Sequence, residues 1–304
     1  VANLENFFKP VPGSRPKAAC EIRPEGVIAA RPGKKHGEIV TAFAPLREGA
    51  VAPGLKVPNL MDAHAVGAAL ESAMDSLGAR SKELTLIVPD AAARVLLLDF
   101  DELPSRRQEA LAVVRFRLRK MVPFDVENAA VSYQVMAEKN GQLSALVTVM
   151  PADVLAEYET VVRDAGYEPS VVLPSTLAAA AAVEGDSAIL MVNHSGTSVT
   201  TAVTQDNEML LHRSMDLPAE PQAREEEMAQ AVITALAWYE DTLSRLPSTM
   251  YYAGPGGASA ALQSRWAALV QPAPKLVDLT SADVSAMTTV PPGVVAGVAG
   301  ALAR

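Results

Sequence analysis

The chain has 304 residues, 49% of them hydrophobic and 20% charged, with Ala and Val dominating the apolar set and aromatics at only 5%, which predicts a soluble globular protein with a core of small aliphatic side chains. Its 35 carboxylates outnumber its 26 Lys and Arg for a formal charge of −9, which excludes a general nucleic-acid binder, because neutralising phosphates needs a surplus of cations. A single cysteine, Cys20, excludes a disulfide framework and a multi-cysteine metal site, and the four histidines lack metal-ligand spacing.

Residues 1–17 read as an extended arm carrying Phe7 and Phe8; "VANLENFFKPVPGSRPK" has no continuous apolar core and does not read as a signal peptide. No run of about 18 apolar residues predicts a membrane span. From Ala18 to Ala52 the short runs "AACEI", "GVIAAR" and "EIVTAFAPL", punctuated by Pro and Gly, predict a meander of strands. Val66, Leu70, Met74 and Leu77 recur at steps of four and three and predict a helix that stops at Gly78. Two strands follow in "ELTLIVPD" and "ARVLLLDFDELP".

"SRRQEALAVVRFRLRKMVPF" predicts a helix with a capping box at Ser105 and Gln108, a stripe of Leu111, Val114, Leu118 and Met121, and an end at Pro123. A hairpin turning at Asn140-Gly141 comes next, then a helix over about Ala152 to Ala165, then a strand and an Ala-rich helix. The second half opens at Asp186 with three strands, the second turn at Asp206-Asn207. A long helix follows, with Met228, Val232, Leu236, Tyr239 and Leu243 on one face. "TMYYAGPGGASAALQSRWAAL" then runs strand, glycine loop, helix, and a small-residue helix closes the chain. The order predicts two α/β halves facing a cleft, with a helix-hairpin unit inserted in the first.

Three segments suggest chemistry. In "LMVNHSGTSVTTAV", Ser195, Gly196, Thr197 and Ser198 could offer hydroxyls and N–H groups to phosphate, although an ordinary hairpin turn uses the same residue types. The loop "AGPGGAS", with Gly254, Gly256 and Gly257, stands between a strand and a helix, where backbone N–H groups can meet an anion or merely turn. It lacks the Gly-Lys-Ser/Thr ending of a Walker A loop. The stretch Arg106 to Lys120 carries six cations, a solvated face or a docking site for an acidic partner or a membrane surface.

"FRLRKMVPFDVENAAVSYQVM", the hairpins at "ACEIRPEGVIAAR" and "LMVNHSGTSVTTAV", the loop "YAGPGGAS" and the ending "VVAGVAGALAR" together resemble the PilM family of type IV pilus assembly proteins, within the actin-like superfamily. The cytoplasmic actin-like domain of the type II secretion platform is similar. The resemblance implies a ribonuclease H-like, two-lobed fold: lobe 1 over residues 18–185, with an inserted α+β subdomain at about 84–164 and the final helix 291–304 returning to it, and lobe 2 over 186–290. It also implies ATP or ADP with magnesium in the cleft, with one loop from each half (Arg23; Asn193 and Ser195 to Ser198) holding phosphate and the glycine loop holding adenosine. A further implication is a groove for the N-terminal cytoplasmic peptide of a bitopic, PilN-like membrane protein, with Arg115, Arg119, Pro123, Phe124 and Tyr133 as candidate contacts. Such a protein is cytoplasmic, reaches the membrane only through its partner and joins a ring.

Two departures matter. Where the family's first phosphate loop runs Asp-Ile-Gly-Ser, this chain has Glu21, Ile22, Arg23 and Pro24, and proline has no N–H to offer. Asn193 stands where the family has an aspartate, and that loss removes a charge that would orient hydrated magnesium. The expectation is a scaffold with little or no ATP hydrolysis, its nucleotide optional. An active ATPase, a sugar-kinase relative and a filament former are the rival readings.

Overall fold

The computed structural model describes residues 16–79, 81–139, 141–183, 188–206, 208–269, 274–279 and 284–303. Phe7 and Phe8 of the expected arm lie outside them, as do Asn140, Asn207 and the expected boundary between residues 185 and 186.

The first meander forms β1 (Ala19–Arg23), β2 (Gly26–Pro32) and β3 (Ile39–Pro45), joined antiparallel. Helix α1 (Ala63–Leu77) buries Val66, Leu70, Met74 and Leu77, the stripe its spacing predicts. Asp62 caps its start by accepting the Ala65 N–H, and Gly78 ends it in the left-handed region. β4 (Glu83–Val88) pairs parallel with β1. A 3-10 turn at Asp90–Ala92 then leads into β5 (Arg94–Phe100).

Helix α2 (Arg107–Leu118) departs from expectation at both ends. Arg106, extended and without a side-chain cap, is its N-cap, so Ser105 lies one residue too early to close a capping box. The helix stops at Leu118, whose carbonyl accepts the N–H groups of Met121 and Val122 in a tight turn well before Pro123. The buried stripe is therefore Ala110, Val114 and Leu118, and Met121 is exposed.

β6 (Ala129–Lys139) and β7 (Gln142–Pro151) form the expected hairpin, and with β5 they make a separate sheet in the order β5-β7-β6. This inserted sheet is narrower than the span 84–164. Leu84 belongs to β4 inside the main sheet, and α3 (Ala152–Asp164) packs Val154, Tyr158 and Val162 into the same core as α1. β8 (Glu168–Pro174) then lies parallel on β4, followed by α4 (Ser175–Ala180).

The second half repeats the plan. β9 (Ile189–Ser195), β10 (Ser198–Gln205) and β11 (Glu208–Asp216) are an antiparallel meander, and α5 (Pro221–Leu243) buries Met228, Val232, Leu236 and Tyr239. β12 (Thr249–Ala253), α6 (Ala260–Leu269) and β13 (Lys275–Asp278) complete it, with both strands parallel to β9. β14 (Val284–Ala286) adds to the edge of the first sheet beside β3. The two large sheets run β14-β3-β2-β1-β4-β8 and β11-β10-β9-β12-β13.

The final helix, α7 (Ala296–Leu302), is shorter than the span 291–304 and packs Val298 and Ala301 against Ala19, Ile28 and Ile87 of the first sheet. Between the inserted sheet, α4 and the second large sheet lies an apolar seam of Val95, Met136, Leu177, Met191, Ala202 and Ala253. Small residues set how closely α7 approaches α4. A Cβ on Gly300 of α7 would stand 1.9 Å from the Ala178 carbonyl oxygen of α4, a backbone atom that cannot swing aside. We therefore expect Gly300→Ala to lower stability by about 1–3 kcal/mol in thermal denaturation. Gly54→Ala, whose Cβ meets nothing within 4 Å, should change it by less than about 0.5 kcal/mol.

Candidate functional site

The tips of the two meanders meet across the cleft. In β1, Glu21 and Arg23 are two residues apart and therefore share one face of the strand. Both are fully buried, and Arg23 is only 2% exposed. The Arg23 guanidinium donates to Glu21 at 2.7 Å, to Glu25 at 3.3 Å and to the His194 carbonyl of the opposite tip at 3.0 Å. Glu25 in turn accepts the Gly196 N–H at 2.9 Å. Gly196 holds a left-handed φ of +52°, and a Cβ there would stand 2.7 Å from the Pro24 ring. A glycine is thus required both by the turn and by the contact.

Burial pushes the Glu21 carboxyl above the usual carboxylate range, and Arg23 and Ser175 only partly oppose that. Burial also works against the Arg23 charge, but Glu21 and Glu25 together hold its pKa above the ordinary arginine value. The cation is the fixed member of this group.

Behind the tips lies a polar network. Ser175 donates to Glu21 at 2.7 Å. The Asn193 amide nitrogen is 3.0 Å from the Ser175 hydroxyl, 2.9 Å from that of Thr176 and 3.3 Å from the Asp90 carboxylate. Asp90 also accepts the Thr176 N–H at 3.0 Å and the Thr176 hydroxyl. An aspartate at position 193 would set a second carboxylate against Asp90 in a buried site. The amide is what this neighbourhood accommodates. Asp90 was missing from the sequence reading, although an acid ending the buried run "LTLIVPD" was its signal.

The remaining hairpin groups do not converge. Ser195 is buried, Thr197 is exposed, and the Ser198 hydroxyl donates to the Ser195 carbonyl at 3.3 Å. Burial lowers the His194 pKa, and its ring lies 3.2 Å from the Tyr252 hydroxyl and 3.3 Å from the Gly196 carbonyl. Tyr252 is itself pushed up to about 12 by burial.

In the glycine loop, Gly254 is buried while Gly256 is exposed. The loop's N–H groups turn to the protein itself: Gly256 donates to the Pro292 carbonyl at 3.0 Å, Gly257 to Gly254 at 3.1 Å, and Ala258 to Asp278 at 3.1 Å. Several of the groups expected to meet a nucleotide are thus engaged within the protein. Arg23 is enclosed by carboxylates, Gly196 serves Glu25, and the loop amides serve Pro292 and Asp278. Among the described residues no group of three or more His, Cys, Asp or Glu is placed to hold a metal ion.

A second site lies elsewhere. A groove of about 210 Å³ runs between the inserted sheet, β8 and the α4–α7 pair. Its walls include Ser132 and Tyr133 of β6, Val171 and Leu173 of β8, Ala181 beyond α4 and Gly300 of α7. Both β6 and β8 are sheet edges. Of the five candidate partner contacts, only Tyr133 is here. Arg115 is a strut, donating to the carbonyls of Val126 and Ala129; Arg119 pairs with Glu127 at 2.7 Å; Phe124 packs beneath α2; and Pro123 is exposed in the turn.

No protein-family model and no curated protein matches the sequence. Solved structures do match in three dimensions. A PilM-PilN type IV pilus biogenesis complex superposes with a TM-score of 0.73 at 14% identity, covering 95% of this chain and 98% of that one. The cytoplasmic domain of EpsL, an inner-membrane component of the type II secretion system of Vibrio cholerae, gives 0.52 at 13% identity over 94% of each chain. A Bacteroides thetaiotaomicron protein of actin-like ATPase fold and unknown function gives 0.52 at 9% identity, covering 94% of this chain and 95% of that one. The fold is therefore the actin-like, ribonuclease H-like one, two-lobed with an inserted α+β subdomain.

Removing Arg23 should expose how the tips are held. Arg23→Ala strands two carboxylates in or beside the core and should cost about 3–5 kcal/mol in chemical denaturation. Adding Glu21→Gln to Arg23→Met should recover most of that loss, because it removes the fully buried carboxylate and leaves only Glu25, which is partly exposed and still accepts the Gly196 N–H.

Proposed function

We propose that the chain is a cytoplasmic, non-hydrolysing scaffold of a pilus or secretion platform. In this reading it holds an extended peptide from the cytoplasmic end of a membrane-anchored partner. The groove between two sheet edges carries this proposal. An edge strand leaves one row of backbone N–H and C=O groups without a strand partner, and an extended segment can take them up as an added strand. The groove supplies pockets for alternate side chains, with Tyr133 and Ser132 on one wall and Val171 and Leu173 on the other.

The likeness to a PilM-PilN complex and to a type II secretion component at the inner membrane supports the setting. No helix among the described residues is long and apolar enough to cross a membrane; in this reading the partner supplies the membrane-spanning link. The latched tips support the rest of the reading. Phosphoryl transfer depends on positioning and charge stabilisation, and the Gly196 N–H of the expected phosphate hairpin is turned to Glu25, while amides of the glycine loop are turned to Pro292 and Asp278. In this reading ATP, ADP and magnesium are no part of the working protein.

Titrating labelled N-terminal cytoplasmic peptides of bitopic pilus membrane proteins into the full chain, read by fluorescence anisotropy, tests the groove. Saturable binding is expected, weakened at least about tenfold by Val171→Lys or Ser132→Arg. Absence of binding to every such peptide, or binding that ignores both variants, would remove the groove from the function.

A further inference from the structure

Seven large apolar side chains are exposed among the described residues, and three of them are neighbours: Val113 at 37% and Phe116 at 71% on α2, and Met121 at 47% in the turn after it. Val113 and Phe116 lie one turn apart on the exposed side of α2, with Arg117 on its flank next to the buried Ala110 row and Lys120 in the turn after the helix. The charge along this segment is predominantly positive. Arg106 to Lys120 holds six cations and one carboxylate, Glu109, in a chain whose net charge is −9.

Some of these cations have partners. Arg106 meets Glu109 and Arg119 meets Glu127, both on the surface, and Arg115 braces β6. Arg107, Arg117 and Lys120 are exposed and have no ion-pair partner among the described residues. The Arg119 guanidinium lies 5.8 Å from the centre of the Phe116 ring, so aromatic and cationic surface are continuous.

We propose that this face of α2 docks directly on an anionic phospholipid surface. Composition favours lipid over peptide. α2 contributes no residue to the groove, and an exposed aromatic among cations is the pairing by which an interfacial helix is held at an anionic bilayer. An exposed aromatic with aliphatic neighbours enters the headgroup boundary, and the cations beside it are drawn to anionic headgroups. The acidic remainder of the chain is repelled by the same surface, so the attraction orients the protein with α2 downward. Three apolar side chains and three unpaired cations make a weak anchor, effective as the second of two membrane signals. The contact would add to the partner link rather than replace it.

The test is flotation of the full chain with vesicles of equimolar phosphatidylglycerol and phosphatidylcholine, against vesicles of phosphatidylcholine alone. Binding is expected only to the anionic vesicles, falling as salt rises, and reduced at least about tenfold by Phe116→Ser or by Arg117→Glu with Lys120→Glu. Arg117→Lys should retain it. All three positions are exposed, so unchanged melting temperatures should show that the fold is kept. Failure to float with anionic vesicles, equal binding to neutral ones, or indifference to the variants overturns the proposal. So does a variant effect seen only on sedimentation of the protein alone, which would assign this face to a second copy, or only on capture of an acidic protein. No peptide is present in the assay, so its failure leaves the groove reading standing, and Val171→Lys should float as wild type does.

Discussion

A buried arginine cannot be left alone, and Arg23 organises the cleft for that reason. Its charge is far from water, so it must be met by carboxylates with good geometry. Glu21 meets it from the same strand face and Glu25 from the turn. The remaining guanidinium nitrogen reaches a carbonyl, that of His194, on the other meander. Once Glu25 also accepts the Gly196 N–H, the two tips are one hydrogen-bonded unit. Pro24 presses on Gly196, and Ser175, Asn193, Thr176 and Asp90 form a hydrogen-bonded group behind, although the Glu21 Oε2 and Ser195 Oγ atoms are buried without a partner. The apolar seam beneath brings the lobes together, and the arginine fixes how the tips meet.

The consequence for function follows from a shared need. A helix or hairpin turn that binds phosphate does so with unpaired backbone N–H groups and nearby cations. In this chain those groups already hold an anion, the Glu25 carboxylate, and the glycine loop is similarly turned to Pro292 and Asp278. The two tips of the cleft are therefore tied to each other, while the inserted sheet and α2 present a groove and exposed apolar side chains among the described residues. The groove offers two sheet edges and the helix offers a basic, apolar face.

Much of the architecture was legible because it is written in short-range periodicity. The stripes of α1 and α5 recur every three or four residues, and strands alternate or run apolar, so the order of elements could be read directly. The turn near Gly141 and the stop at Gly78 carry their own chemistry. What could not be read was pairing at a distance. Glu25 and Gly196 are 171 residues apart, and nothing local says that a turn carboxylate will take the place expected for phosphate. Nor does the local sequence say that Arg23 will reach the His194 carbonyl of the opposite hairpin. Asp90 looked like the end of a strand, and Asn193 like a lost magnesium ligand, until the fold set them in hydrogen-bonding distance. The α2 start failed for a smaller reason, a one-residue shift that disabled the Ser105 cap.

The most direct measurement is a titration of the purified chain with ATP and with ADP, each with magnesium, followed by calorimetry and by melting temperature. A ligand that binds only the native state must raise that temperature in proportion to the logarithm of its concentration over Kd. The expected result is neither heat nor a shift up to millimolar nucleotide, in wild type and in Gly256→Glu alike. Saturable binding with a rising melting temperature, abolished by Gly256→Glu, would contradict a cleft whose tips are held by Arg23 and Glu25.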